Sequence, residues 1–177
     1  MFFSKNKKIS FKAFIDASIS GLLFHGVYLG GVFFALSKGI SATLIALIVS
    51  LQPILTSFLA KVYLNETLTK YQCIGIFLGF SGASIIVISD LIGNLSAIAF
   101  FAGIIGLISS SLAIIWQKKI GSNLSLSGNN FLQALSASVF HLFLALCFED
   151  FLINFSKDFL LAMSWQIFAV SLGAFLI

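Results

Sequence analysis

The sequence predicts an all-α fold, a polytopic transmembrane helix bundle, from its composition, its long apolar runs and its lysine distribution. Of the 177 residues, 59% are hydrophobic and only 9% are charged, and the mean hydropathy is +1.10. A soluble domain is usually about 25% charged, so this composition excludes a soluble globular domain. It also excludes a disordered chain, which needs low hydrophobicity and high charge. The chain is therefore expected to lie in a lipid bilayer.

Six apolar runs are candidates for membrane spans. A bilayer core takes about 20 residues of helix, and helix satisfies its own backbone hydrogen bonds in lipid. The last run ends without a polar flank, so we expect the chain to be truncated at its C-terminus. The predicted spans lie near Ala17–Leu36, Ile40–Leu64, Tyr71–Ser89, Leu95–Trp116, Phe131–Phe148 and Leu160–Ile177.

Lysine counts predict the orientation of these spans, because cytoplasmic loops carry an excess of positive charge. With a cytoplasmic N-terminus, only Lys38 and Lys157 lie outside. The remaining basic residues are then all cytoplasmic: Lys5, Lys7, Lys8, Lys12, Lys61, Lys70, Lys118 and Lys119. These lysines form no continuous basic face, so nucleic acid is not an expected partner.

Small residues recur at helical spacing in four of the spans, and we predict that these faces pack against neighbouring helices. In lipid, helices associate by close packing at small residues and by a few hydrogen bonds. The predicted faces are Thr43, Ala46, Ser50, Pro53, Ser57 and Ala60; Gly75, Gly79 and Ala83; Ala99, Gly103, Gly106, Ser110 and Ala113; and Ala134, Ser138, His141 and Ala145.

Pro53 lies about halfway along the second span, next to Gln52. A proline removes a backbone donor and disrupts the bond to the carbonyl four residues back, here that of Val49. One interpretation is a kink whose freed carbonyl is satisfied by neighbouring hydroxyls. The other is a broken helix that lines a transport cavity, with the amide of Gln52 facing it.

His25 and His141 are each expected near the midplane of their span, and Tyr28 follows His25 by about one turn. An ionisable side chain at that depth indicates a functional site. No carboxylate lies at the same depth, so we expect neutral histidines that either line a cavity or bond between helices. Two histidines without further ligands do not make a metal site, and we expect neither metal nor cofactor.

Asp16 and Trp116 are interpreted structurally. We place Asp16 at the N-terminus of the first span, where a carboxylate suits the helix dipole. Trp116 precedes Lys118 and Lys119, which is typical of an interfacial aromatic anchor.

Three consecutive features of the second and third spans form a recognisable pattern. An alanine- and leucine-rich run begins at Ala35 and leads to Pro53, a Leu-x-Glu turn ends at Glu66, and a glycine-rich helix follows through Gly75 and Gly79. In order and spacing, residues 28–88 resemble the EamA family of the drug/metabolite transporter superfamily. The stretch from Gly93 to Lys119 resembles, more weakly, the start of a second repeat of that family.

The resemblance implies parts of two inverted five-helix repeats. Residues 1–92 would be the last three helices of the first repeat, and residues 93–177 the first three of the second. Glu66 matches the family's acid, which implies a gating contact or a contact between repeats. Its local alternative is a pair with Lys70, four residues on.

These features predict a transporter, specifically an exporter, of small metabolites in a bacterial inner membrane, working by alternating access. The predicted substrate-binding residues are His25, Tyr28, Gln52, Pro53 and His141. An enzyme is not expected, because no cluster of acids or nucleophile accompanies the histidines. The alternative is a truncated membrane protein that has a structural or assembly role and transports nothing. The oligomeric state and the solute stay open.

Overall fold

The computed structural model describes residues 10–67, 69–90, 96–120, 124–148 and 155–171, and within them the chain is helical and has no strand. This confirms the predicted all-α class. The helices are α1 (Phe11–Gly21), a first π-helix (Leu22–Tyr28), α2 (Leu29–Ser37), α3 (Ala42–Ser50), α4 (Gln52–Leu64), α5 (Lys70–Asp90), α6 (Ala97–Ile120), α7 (Leu126–Phe148), α8 (Lys157–Ser164) and a second π-helix (Trp165–Ser171).

Helical stretches long and apolar enough to cross a membrane make the chain an integral membrane protein. Within the described residues they are Phe11–Ser37, Ala42–Leu64, Ala97–Ile120 and Leu126–Phe148. These match the first, second, fourth and fifth predicted spans. Helix α5 occupies the third predicted span. The sixth is helical from Lys157 to Ser171, and its remainder lies outside the described residues, so that span stays a prediction.

Contacts divide the chain into two compact units, Met1–Leu142 and Phe143–Ile177. In the second unit, the hydroxyl of Ser156 accepts the backbone N–H of Phe159 at 3.1 Å and so caps α8. The boundary predicted between residues 92 and 93 separates repeats rather than compact units, and it stays a prediction.

A glycine cap ends the first span and turns the chain back into the second. Gly39 has a φ of +90°, and its N–H donates to the carbonyl of Leu36 at 3.0 Å. The N–H of Ile40 donates to Ala35 at 3.3 Å. This pair of bonds is the Schellman motif, which glycine favours because it has no Cβ to clash at positive φ. The first two spans are therefore antiparallel neighbours.

Helix α6 is the centre of the first unit, where it packs against α1, the first π-helix, α2, α3 and α4. Its predicted small-residue face is confirmed, since Ala99, Gly103, Gly106, Ser110 and Ala113 are all buried. This face consists of small residues because the neighbouring helices lie close to α6. A Cβ on Gly103 would lie 2.6 Å from the Cδ1 atom of Ile45.

The packing face predicted for the second span is wrong over α3, although its last member, Ala60 on α4, is buried. Thr43 and Ala46 are exposed, whereas Leu44, Ile45 and Ile48 are buried. The physical reason is complementarity, because the glycine groove of α6 receives large side chains rather than a second set of small ones. At this contact, small residues mark α6 but not α3.

The face predicted for α7 is wrong at Ala134 and Ser138, which are exposed, whereas His141 does contact the first span at Gly30. The buried positions are Leu132, Gln133 and Ala137. The ladder predicted on α5 fails at Gly75, where a Cβ would meet no atom within 4 Å.

Candidate functional site

The first π-helix accepts side-chain hydrogen bonds from two neighbouring helices. The hydroxyl of Ser109, on α6, donates to the carbonyl of Leu23 at 2.8 Å. The Nε2 atom of His141, on α7, lies 3.0 Å from the carbonyl oxygen of His25. A carbonyl oxygen can only accept, so Nε2 carries the proton. Because a π-helix departs from the α-helical bond pattern, such donors stabilise backbone carbonyls that have no water partner in lipid.

Three glycines bring the first span against α7 along a line that we call the seam. The contacts of the seam are Gly21 with the backbone of Gln133, Gly26 with the ring of Phe140, and Gly30 with the ring of His141. Residue numbers rise together on both helices, so the two run parallel. A Cβ at Gly21 has no room beside the Gln133 backbone, and the seam is closed there.

A cavity of about 670 Å³ lies at one end of the first unit, between the start of the first span, the end of α6 and the start of α7. Its lining includes Lys12, Asp16, Ser20, Trp116, Lys119 and Asn129. On α1 the lining ends at Ser20, and the next residue, Gly21, makes the first contact of the seam. The cavity is thus open at the lysine-bearing end and closed by helix packing beyond Ser20.

Two polar groups in this cavity wall have no hydrogen-bond partner among the described residues. Ser20 is 2% exposed, and its buried hydroxyl makes no hydrogen bond with the described residues. The same holds for the buried indole Nε1 of Trp116. An unpaired buried polar group costs roughly 1 to 3 kcal/mol, so these groups suit a bound solute or water.

Asp16 lines the same cavity as Ser20 and Trp116. The interpretation of Asp16 as a helix N-terminal residue is wrong. Helix α1 begins at Phe11, and its first turn holds no acidic residue. Asp16 is instead one turn before Ser20 on the same face. Its carboxylate makes no ion pair with any described residue.

The predicted helix break at Pro53 is present. Helix α3 ends at Ser50 and α4 begins at Gln52 with the proline in its first turn. The N–H of Leu51 donates to the carbonyl of Ile48 at 3.2 Å, which tightens the chain between them. The hydroxyls nearby bond locally, Ser50 to Leu47 and Ser57 to Pro53, both at 2.7 Å.

The structure joins His141 to the backbone of His25 but does not bring the other predicted residues to that bond. Tyr28, one turn after His25, packs instead against Gly106 of α6. Gln52 and Pro53 make no described contact with the two histidines. None of these predicted residues lines the cavity at the lysine-bearing end.

Glu66 makes an ion pair with Lys118, their Oε1 and Nζ atoms lying 2.5 Å apart. Asn65 ends α4 in the left-handed conformation at φ 54°, and the N–H of Glu66 donates back to Ala60 at 3.4 Å. This turn aims the carboxylate at the last turn of α6. The local alternative, a pair with Lys70 across the turn, is wrong because the carboxylate of Glu66 pairs with Lys118 instead.

Metal-binding groups of three or more His, Cys, Asp or Glu side chains are absent from the part of the chain that the structure describes. The ring of His141 is already used, bonded to the carbonyl of His25 and packed on Gly30.

Comparison with known families gives the class of this bundle. The profile of the EamA-like transporter family matches residues 1–88. Over these residues, just under half of its length, the chain is similar to the EamA-like transporter family. The matched EamA-like segment runs from the N-terminus into α5, and it contains the helix break and Glu66.

A curated relative extends the similarity beyond the EamA-like segment. The chain is 26% identical over 171 residues to a protein of Bacillus subtilis (strain 168) named the uncharacterized transporter YvbV. The alignment covers 90% of this chain and 54% of the relative. The chain therefore spans about half the length of that relative. No solved structure is significantly similar to the chain.

Sequence reasoning missed the cavity and two of its polar residues. Ser20 and Trp116 belong to no motif. A tryptophan beside lysines is more typical of an interfacial anchor than of a cavity wall. Gln133, 4% exposed, was missed as well. The available signal was its position in an apolar helix, where an amide is costly unless it is packed or bonded.

Proposed function

We propose that the chain is part of a secondary transporter that exports small metabolites by alternating access. The supporting observation is the cavity of about 670 Å³, which is open at one end of the bundle and closed beyond Ser20 by the seam. A transporter that alternates needs a cavity with access from one side at a time. The EamA-like segment and the transporter relative favour the same function.

Export is proposed from the side on which the cavity opens. Lys12 and Lys119 line its mouth, and Lys118 lies beside it. Lysine-rich ends face the cytoplasm, so a solute would load from inside a bacterial inner membrane. The proposed topology has a cytoplasmic N-terminus.

Opening to the other side would require the seam to part. Its contacts are short because glycines let two backbones approach, and small packed interfaces can slide or separate. His141 and His25 would then exchange their mutual bond for a bond to the solute. In this proposal His25, Tyr28 and His141 become substrate-binding residues as the seam opens, and Gln52 with Pro53 supplies a hinge in the second span.

The Glu66–Lys118 pair is proposed as the contact that keeps α4 attached to α6 during this motion. It joins the ends of those helices at the same end of the bundle as the cavity. If residues 1–92 and 93–177 are parts of two inverted repeats, the pair links one repeat to the other.

A labelling experiment tests the side on which the cavity opens without knowledge of the solute. In a variant with Cys73→Ser and Cys147→Ser, we would introduce Ala13→Cys in the cavity wall and treat oriented vesicles with a membrane-impermeant maleimide. We expect labelling from the cytoplasmic face only. The matched control is Phe101→Cys on α6, whose native side chain is 63% exposed on a lipid-facing position and which should resist the reagent from both faces.

Counterflow of small polar and amphipathic metabolites in proteoliposomes tests transport itself. Gln52→Ala and His141→Ala are expected to reduce flux. Labelling of Ala13→Cys from the outer face only, or the absence of flux for every solute tried, would contradict the proposal.

A further inference from the structure

A groove between α4 and α5, which we call the α4–α5 groove, is lined by apolar side chains and one thiol. Its volume is about 450 Å³. Leu107, which is buried on α6, lies at its floor, and the cavity at the lysine-bearing end shares none of its residues. The two walls are formed by Leu51, Ile54, Leu55 and Phe58 on one side and by Cys73 and Ile76 on the other.

Helices α4 and α5 part toward the lysine-bearing end. Gly75 and Gly79 lie about one turn apart on the same face of α5. A Cβ on Gly79 would lie 3.2 Å from the Cδ1 atom of Ile54, whereas a Cβ on Gly75 would meet no atom within 4 Å. The groove is therefore closed by helix contact near the middle of α5, and it opens toward the turn that joins α4 to α5.

Two lysines continue the walls of the groove at its open end. Lys61 follows Phe58 by three residues and Lys70 precedes Cys73 by three, so each lies on the groove-lining face of its helix. Both are exposed, and neither makes an ion pair with any described residue. The acid in the turn between them, Glu66, is already paired with Lys118. The open end therefore carries positive charge that no described residue neutralises.

The open end of the groove lies at the level of the membrane interface. Tyr63 and Tyr71, near the end of α4 and the start of α5, are 57% and 87% exposed, and exposed tyrosines are typical of that level. From Leu51 to Phe58 the groove runs about 10 Å along the helix axis, a large part of one leaflet of a hydrocarbon core about 30 Å thick. An apolar channel within one leaflet thus ends at cations at headgroup level.

This combination fits a phospholipid better than a further helix. An apolar helix would cover the walls, but its end would have to supply acidic side chains for Lys61 and Lys70. An anionic phospholipid carries the acyl chain and the negative charge in one molecule. Basic sites between membrane helices on the cytoplasmic side bind anionic headgroups, and the proposed topology places this end in the cytoplasm.

We propose that the α4–α5 groove binds an anionic phospholipid, with one acyl chain along Leu55 and Phe58 and the headgroup phosphate between Lys61 and Lys70. The acyl chain fills the space at Gly75 and so joins α5 to α4 where the two helices part. The site is separate from the solute cavity and does not depend on transport.

Quenching by brominated lipids measures occupation of the groove. Phe58→Trp in the full chain, with Trp116→Phe and Trp165→Phe, places the only tryptophan in the groove wall. In phosphatidylcholine vesicles with a small fraction of brominated lipid, brominated phosphatidylglycerol is expected to quench it more strongly than brominated phosphatidylcholine with the same acyl chains. The control is Phe101→Trp on α6, where the native side chain is 63% exposed and both lipids should quench equally. Equal quenching of Phe58→Trp by the two lipids would overturn the site.

Substitution of the lysines tests the headgroup contact. Lys61→Ala and Lys70→Ala are each expected to lower the preference for phosphatidylglycerol about fivefold, the contribution of one lysine near an anionic lipid surface. High salt should lower it as well. The matched control is Lys38→Ala, at the opposite end of the second span, which should leave the preference unchanged. A preference that survives both lysine substitutions would contradict the proposed site.

Native mass spectrometry of the unsubstituted chain decides the proposal even where the tryptophan variants do not fold. With the two lipids at equal concentration, the lipid retained on the chain is expected to be phosphatidylglycerol, and retention without selectivity would overturn the site. Occupation by a second copy is tested with Cys147→Ser, in which an oxidant could join Cys73 to Cys73 of another chain. Efficient cross-linking in vesicles that contain phosphatidylglycerol would show a second copy in the groove instead of lipid. Absence of solute flux would remove the transport proposal and leave the lipid site intact.

Discussion

The Nε2–H of His141 donates to the backbone carbonyl of His25 at 3.0 Å, which ties α7 to the π-helical turn of the first span. A side chain of one helix thus stabilises an irregular stretch of another within the seam, where its ring also packs on Gly30. The bond explains both a polar residue in an apolar helix and the persistence of the π-helix.

Replacing His141 is predicted to destabilise the bundle. His141→Ala removes the bond and the ring that packs on Gly30, and the free energy of unfolding in detergent should fall by about 1 kcal/mol or more. Ser138→Ala, on the exposed side of the same helix, is the control and should have little effect. His141→Gln keeps a donor and should restore part of the loss. Equal stabilities for His141→Ala and Ser138→Ala would contradict the assigned bond.

Gly21 is predicted to tolerate no side chain. Gly21→Ala places a Cβ against the Gln133 backbone, so the seam must open and thermal stability should drop clearly. At Gly82 a Cβ meets no atom within 4 Å, and Gly82→Ala should be neutral or stabilising by up to about 1 kcal/mol because alanine favours helix. A Gly21→Ala variant as stable as Gly82→Ala would show that the helices are further apart than the structure has them.

The Glu66–Lys118 pair is predicted to be weak and salt-dependent. Both side chains are about half exposed, so their coupling free energy should be roughly 0.2 to 1 kcal/mol and should shrink at high ionic strength. A double-mutant cycle with Glu66→Gln and Lys118→Ala measures it from thermal unfolding. The control cycle pairs Glu66→Gln with Lys70→Ala and should show no coupling. Coupling to Lys70 instead would restore the local pairing that the structure rejects.

The two ends of α6 are predicted to lie on opposite faces of the membrane. The helix has 24 residues and so spans about 36 Å, enough to cross the bilayer. Topology reporters fused at Gly93 and at Ser125 should read outside and cytoplasmic, respectively. The same location for both fusions would contradict the span and the orientation inferred from the lysines.

The membrane class and the spans could be predicted from the sequence alone. Hydropathy is a sum over local residues, so Ala42–Leu64 and Leu126–Phe148 could be recognised without knowledge of any neighbour. The break next to Pro53 is equally local, because the missing N–H belongs to the proline itself.

The packed faces and the candidate site needed the tertiary structure. In lipid an apolar helix face has a similar free energy against acyl chains and against another helix. Hydropathy therefore does not mark the buried side of α3 or α7. For the same reason the sequence placed the binding residues at the Pro53 break and around His25, and gave no sign of the cavity beside Asp16.

The sequence by itself determined that this chain is a bundle of membrane helices, and it predicted most of the lysines at one end, because composition and charge act residue by residue. Only the tertiary structure decided that Glu66 pairs with Lys118 rather than Lys70, and that Asp16 and Trp116 share a cavity. Those relationships join residues about 50 and 100 positions apart, and they depend on which helices touch, which only three-dimensional packing fixes.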